Sequence, residues 1–174
     1  MGLGSANGAA MKIRDVKTYV LEAVLTEPFA YSQAWYERRG ALLVEIIGED
    51  GISGWGEAFG PPRLTVPVVD FYKPLLVGAD ALATDLLWQT LYNRLRDHGQ
   101  KGLAIEALSA VDIALWDLKG SHLGLPIYRL LGGPVRERSK RTPPAFTAST
   151  MATRCATCWP KRRSGSRLGS RRSS

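Results

Sequence analysis

The 174-residue chain has only two cysteines, Cys155 and Cys158, both close to its end. The rest therefore offers neither a disulfide framework nor a thiolate metal site. No run approaches the roughly 18 apolar residues of a membrane span. The opening MGLGSANGAA also lacks the charged-then-apolar layout of a secretory signal. A cytoplasmic chain with no membrane partner is the expectation. Acidic residues are missing too, but only locally: residues 139–174 contain none.

That local absence decides what the net charge of +7 means. Residues 1–138 hold 14 basic and 16 acidic side chains, a net of −2, whereas 139–174 hold 9 basic ones. The basic character belongs wholly to the last segment, and the body has no charge-based reason to seek phosphate. With 45% apolar and 9% aromatic residues the chain has enough to build a core.

The first ten residues, rich in Gly, Ala, Ser and Asn, read as a flexible extension, residues 1–10, with the folded body starting at Met11. Residues 11–25, 41–48 and 52–58 are dense in β-branched and aromatic residues and predict three strands. Glu49-Asp50-Gly51 joins the second to the third, because Asp-Gly supplies the positive φ of a tight hairpin turn. Between the first two strands the sequence predicts a long loop over 27–40.

After Pro62 the pattern becomes helical. Thr65 is the expected cap of a first helix running to about Tyr72, with Pro67 in its first turn. Thr84 is the expected cap of a second, in which Leu87, Leu91 and Leu95 share a face and Gly99 is the stop. A third helix spans about 103–123 and ends at Gly124, and a short fourth lies in PIYRLLGG. The third is apolar around most of its circumference, so it should be buried nearly all round, with a further partner surface covering what the chain itself does not. The fold class is α+β: a three-stranded antiparallel meander followed by a helical bundle.

The run Ala107-Leu-Ser-Ala-Val-Asp112-Ile-Ala-Leu-Trp116-Asp117-Leu-Lys119-Gly120, followed by Leu125-Pro126-Ile127 and Leu130-Leu131-Gly132-Gly133, resembles the signature of the mandelate racemase/muconate lactonizing enzyme group of the enolase superfamily. Ser121 departs from it, at a peripheral position where a basic residue is usual. Gly54-Trp55-Gly56-Glu57-Ala58 is similar to the same group's N-terminal domain, and the resemblance covers about 11–138. Within the group, Leu91 to Leu103 resembles the galactarolactone cycloisomerase type, which acts on acid sugars and their lactones. Sugar-acid dehydratases share much of that scaffold.

The resemblance implies that residues 11–138 are a capping domain. A following (β/α)-barrel, absent from this chain or supplied in trans, would hold carboxylate ligands for Mg²⁺ and the bases that remove the proton α to a carboxylate. The substrate would be a small acid sugar or hydroxy-acid, and the chain alone would be inactive, with no catalytic or metal residue of its own. It also implies that two cap segments, 27–40 and 56–63, close over the barrel mouth and select the substrate, excluding water from a charged intermediate. Phe29, Tyr31, Ser32, Trp35 and Phe59 are the candidate substrate contacts. The alternative for Phe29, Trp35 and Phe59 is that they only pack their loops against the domain. Arg38 and Arg39 are expected to be solvated rather than to meet a substrate carboxylate. Glu57, Asp112, Asp117 and Lys119 are expected in salt bridges and caps, and His98 as a helix-end cation.

Residues 139–174 admit three accounts. Cys155-x-x-Cys158 could begin a zinc or nucleic-acid module, yet a structural zinc site needs four ligands and no histidine follows Arg138. A small interaction module with a basic, nucleic-acid-binding tail is the alternative function, weakened by the single aromatic Trp159. A disordered basic tail is allowed by composition. The favoured account is a frameshifted barrel start. Read one base out of register, Met151-Ala152 must give Gly, Cys158-Trp159 Leu and Trp159-Pro160 Ala. The remaining codons permit a strand, a turn and an acidic amphipathic helix, as a (β/α) unit opens.

Overall fold

The computed structural model describes residues 10–31, 34–136 and 138, with the backbone alone at 29–31 and 34. The expected extension, apart from residue 10, and the tail beyond 138 with Cys155 and Cys158 lie outside the described residues. Three strands, β1 (Ile13–Tyr31), β2 (Ala34–Gly48) and β3 (Ser53–Ala58), form a sheet in the order β1-β2-β3. Four helices follow: α1 (Pro62–Leu76), α2 (Thr84–Leu95), α3 (Leu103–Leu123) and α4 (Ile127–Leu130). This is the expected α+β meander with a helical bundle. Among the described residues the packed body consists of 10–25, 38–136 and 138. Thr26–Glu37 belongs to a second unit and is described by its strand ends alone.

The loop expected over 27–40 is replaced by strand. β1 runs to Tyr31 and β2 begins at Ala34, so all but residues 32 and 33 of it are extended. An antiparallel pair, once registered, continues until something interrupts it. Pro28 does not, because β1 is an edge strand, where a missing N–H is tolerated. The Asp50-Gly51 turn forms as expected: Gly51 has φ 85° and its N–H donates to the Gly48 carbonyl at 3.0 Å.

β2 and β3 pair antiparallel with Leu42 opposite Ala58, Val44 opposite Gly56 and Ile46 opposite Gly54. These six face inward, because side chains alternate along a strand and all six are buried. The core face is therefore large on β2 and nearly bare on β3, and α3 fills the space. A Cβ on Gly54 would strike the Ala114 carbonyl and one on Gly56 the Ala110 carbonyl, so helix and strand meet backbone to backbone. Ala107, Leu108, Ala110, Val111, Ala114, Leu115 and Leu118 of α3 are all buried. The expectation of near-complete burial holds except at Ser109 and Ile113, the latter 45% exposed, and in the last turn, where Ser121, His122 and Leu123 are exposed.

The helix ends differ in detail from the reading. α1 starts at Pro62, not after Thr65. Thr65 is buried inside the helix, where its Oγ1 donates back to the Pro61 carbonyl at 3.1 Å. α1 also runs through Pro67 and Pro74. Both prolines and the residues four before them, Arg63 and Asp70, are exposed, so the carbonyls they strand turn to water. Thr84 is the first residue of α2 rather than its cap, Ala83 standing at that position without a side-chain bond. Gly99, with φ 115°, does end the 3₁₀ turn Arg96–His98 that extends α2, and His98 closes that turn, exposed. Gly124 ends α3 in the left-handed conformation.

Candidate functional site

The connection between β3 and α1, residues 59–61, is the part of the expected substrate-facing segment 56–63 that is not itself strand or helix. It is held from two sides and met from a third. The Pro62 ring packs on Gly40 of β2, where a Cβ would stand 2.9 Å from Cγ. Arg63 reaches Glu22 of β1 through Nε to Oε1 at 2.8 Å and Nη2 to Oε2 at 3.4 Å. That guanidinium holds the Glu22 carboxyl below its usual range, and the carboxylate raises Arg63 in turn. From beneath, the Glu106 carboxylate of α3 lies against Gly60, whose φ is 117°. The Pro61 carbonyl accepts from the N–H groups of Leu64 and Thr65 at 3.0 and 3.2 Å.

On this frame Phe59 is displayed rather than packed, at 86% exposure. The reading that its ring merely packs the loop against the domain is therefore incorrect for Phe59. Trp35, 74% exposed on β2, belongs to the Thr26–Glu37 unit. Phe29 and Tyr31 lie on the end of β1, their side chains outside the described residues, and Ser32 is outside them altogether. Phe59 stands in the body and Trp35 in the hairpin end, each described by itself.

The acids and the lysine of the α3 signature have structural partners, though not salt bridges. Asp117 Oδ2 accepts the Trp55 N–H at 2.9 Å, occupying a donor on the edge of the sheet. Lys119 Nζ donates to the Leu82 carbonyl at 2.9 Å and lies 4.9 Å from the Trp116 ring centroid. This ties α3 to the turn before α2. Burial pushes the Asp112 carboxyl above its ordinary value, the nearby Asp85 charge adds to this, and a hydrogen bond with Trp116 opposes it. Glu57 is exposed on the outer face of β3, opposite Leu43, and Arg38 and Arg39 are exposed on β2.

The outer face of the sheet carries a network the sequence reading missed. Tyr19 Oη donates to Glu45 Oε2 at 2.7 Å and Ser53 Oγ to Oε1 at 2.8 Å, while the Tyr19 and Trp55 rings lie 5.5 Å apart. The Tyr19 bond lowers the Glu45 pKa and raises that of Tyr19. These residues come from three strands, so only the register brings them together. Glu22–Arg63 and Glu106–Gly60 were missed for the same reason. Nothing local in the sequence signals contacts between residues so far apart.

The described residues do not fit a divalent cation: no three His, Cys, Asp or Glu among them converge closely enough to hold one. No described helix is long and apolar enough to cross a membrane. An open cleft of about 760 Å³ lies at the C-terminal end of the body, lined by Tyr128, Leu131, Gly133, Pro134, Val135 and Arg136. None of the sequence-predicted site residues lines it.

Comparison with known proteins places these features. Residues 14–132 match the family model for the mandelate racemase/muconate lactonizing enzyme N-terminal domain. The chain is 50% identical over 127 residues to D-galactarolactone cycloisomerase from Agrobacterium fabrum, a match covering 73% of the chain and 34% of that protein. It is 42% identical over 103 residues to D-galactonate dehydratase from Variovorax paradoxus, covering 57% and 26% respectively. Among solved structures it resembles the 3,6-anhydro-D-galactonate cycloisomerase from Zobellia galactanivorans. That resemblance has a TM-score of 0.63 and 38% identity, over 70% of this chain and 32% of that one. The chain thus spans about a third or less of the length of the curated relatives it matches.

Proposed function

The chain belongs to the mandelate racemase/muconate lactonizing enzyme family through its N-terminal domain, and on that premise we propose that residues 11–138 are the substrate-selecting cap of an enzyme acting on an acid sugar or its lactone. The observation that carries this is the 50% identity to a D-galactarolactone cycloisomerase, confined to the first third of that protein's length. Identity to a D-galactonate dehydratase keeps cycloisomerisation and dehydration both within the proposal. In the parent enzyme a second, barrel domain would carry the reaction and hold the Mg²⁺, whose contribution would be Lewis-acid stabilisation of negative charge.

The cap's contribution is steric and dielectric. Phe59, on a connection anchored by Gly40 and Glu22, would cover an apolar part of the substrate and help exclude water. Trp35, Phe29, Tyr31 and Ser32 would do the same from the β1–β2 hairpin, the Tyr31 and Ser32 hydroxyls meeting those of the sugar. Residues 139–174 we take as a frameshifted reading of the first barrel strand and helix, a reading supported by the abrupt change to a segment with 9 basic and no acidic residues.

Joining residues 1–138 to the C-terminal part of the Agrobacterium relative tests the cap. The fusion should turn over D-galactarolactone with Mg²⁺, while the purified 174-residue chain should not. A folded but inactive fusion, or turnover by the chain alone, would count against the proposal. The nucleotide sequence across codons 136–142 tests the frameshift, which fails if no one-base change there opens a barrel-coding frame.

A further inference from the structure

Among the described residues one buried side-chain polar atom has no hydrogen-bond partner, Oε2 of Glu106. Its place is specific. The carboxylate lies flat against the α-carbon of Gly60: a Cβ there would collide with Oε2 and stand 2.8 Å from Cδ and 3.3 Å from Oε1. Gly60 has φ 117°, a conformation that side chains disfavour. Only a glycine lets the connection lie this close to α3 in this shape. The segment's other anchors are satisfied, Pro61 by three donors and Arg63 by both oxygens of Glu22. Glu106 alone covers an acceptor and receives nothing for it. A desolvated carboxylate oxygen without a donor opposes the arrangement that buries it.

We propose that Glu106 is a positioning residue that acts through Gly60 on Phe59, as a latch set against closure. In the seated arrangement Gly60 covers the carboxylate and Phe59 is held in place. In a lifted arrangement the carboxylate is hydrated and the connection 59–61 stands free. The covered, unbonded oxygen narrows the gap between the two, so the segment is movable although its flanks, the paired end of β3 and the first turn of α1, are fixed. The value of such a device rests on the reading that this segment borders the substrate.

The test is amide hydrogen exchange of the full 174-residue chain, followed on peptides covering 57–66, for the wild type, Glu106→Gln and Glu106→Met. Both substitutions replace the carboxylate at about the same volume, so both should slow exchange of that peptide by about threefold or more, with peptides from 107–118 unchanged. If the carboxylate instead merely fastened the loop, both substitutions would speed exchange. Unchanged or faster exchange overturns the latch, and should one variant fail to fold, the sign in the other decides. No substrate enters this measurement, so its failure leaves the result of the fusion experiment standing, and an inactive fusion leaves the latch standing.

Discussion

Gly56 of β3 lies directly against Ala110 of α3, so close that a methyl group on Gly56 would overlap the Ala110 carbonyl oxygen and stand 2.9 Å from the Ala114 nitrogen. Both obstacles are backbone, so no rotamer change relieves them. Gly56→Ala must therefore push the strand and helix apart. The expected cost is about 3 kcal/mol, the upper part of the overpacking range, seen as a melting temperature lower by roughly 10 °C. A melt within about 2 °C of wild type would show that the contact is looser than described.

Asp117 meets the Trp55 N–H at 2.9 Å across the edge of the sheet. Asp117→Ala removes the acceptor and should lower stability by about 1 kcal/mol, measured as a fall in the urea midpoint at constant slope. Asp117→Asn keeps an acceptor oxygen and should retain more than half of it. Equal losses in the two would mean that charge rather than the hydrogen bond matters.

The Asp112 carboxyl is raised by burial and by Asp85. An acid whose folded pKa is raised binds its proton more tightly in the folded state. Its contribution to stability is complete below the unfolded value and is lost as pH rises through the folded one. Asp112→Asn, which cannot ionise, should raise the melting temperature at pH 7, with the gain shrinking as pH falls toward the ordinary aspartate value of 3.8. A gain that does not change with pH would contradict this cause.

Phe59 is 86% exposed, so truncating it removes little packing. Phe59→Ala should shift stability by less than about 0.5 kcal/mol. In the two-domain fusion it should lower kcat/KM by about tenfold or more, the loss expected when a substrate-positioning contact is removed. Full activity in the fusion would remove Phe59 from the substrate-lining set.

The helix α3 was legible because its apolar residues and its Gly124 stop are local signals, and both ends fall at Leu103 and Leu123 as read. The Asp50-Gly51 turn was legible for the same reason. Thr65 misled because Thr at a helix start normally caps, and here the adjacent Pro61 and Pro62 already set the start one turn earlier. The loop over 27–40 was misread although it holds Phe29, Tyr31, Trp35 and Tyr36, residue types that favour strands, and β1 and β2 take up all but residues 32 and 33 of it. At the candidate site Phe59 was visible as an aromatic in a connection. Its anchors Glu22 and Gly40, and Glu106 beneath Gly60, were not, since each reaches it from another element. Gly54 and Gly56 were read as family markers, and only the packed structure gives their reason: they leave room for a helix backbone.

That same helix also sets the order in which the domain can be made. β3 is finished at Ala58, yet the backbone it rests on lies in Ala110, Ala114 and Leu118. During synthesis the sheet must therefore wait, its inner face uncovered, until about 120 residues have left the ribosome. By then every residue of the buried core, from Met11 to Leu118, has been made. A change of reading frame beyond Arg138 would fall after the last residue of that buried set, and so would leave the set itself unaltered.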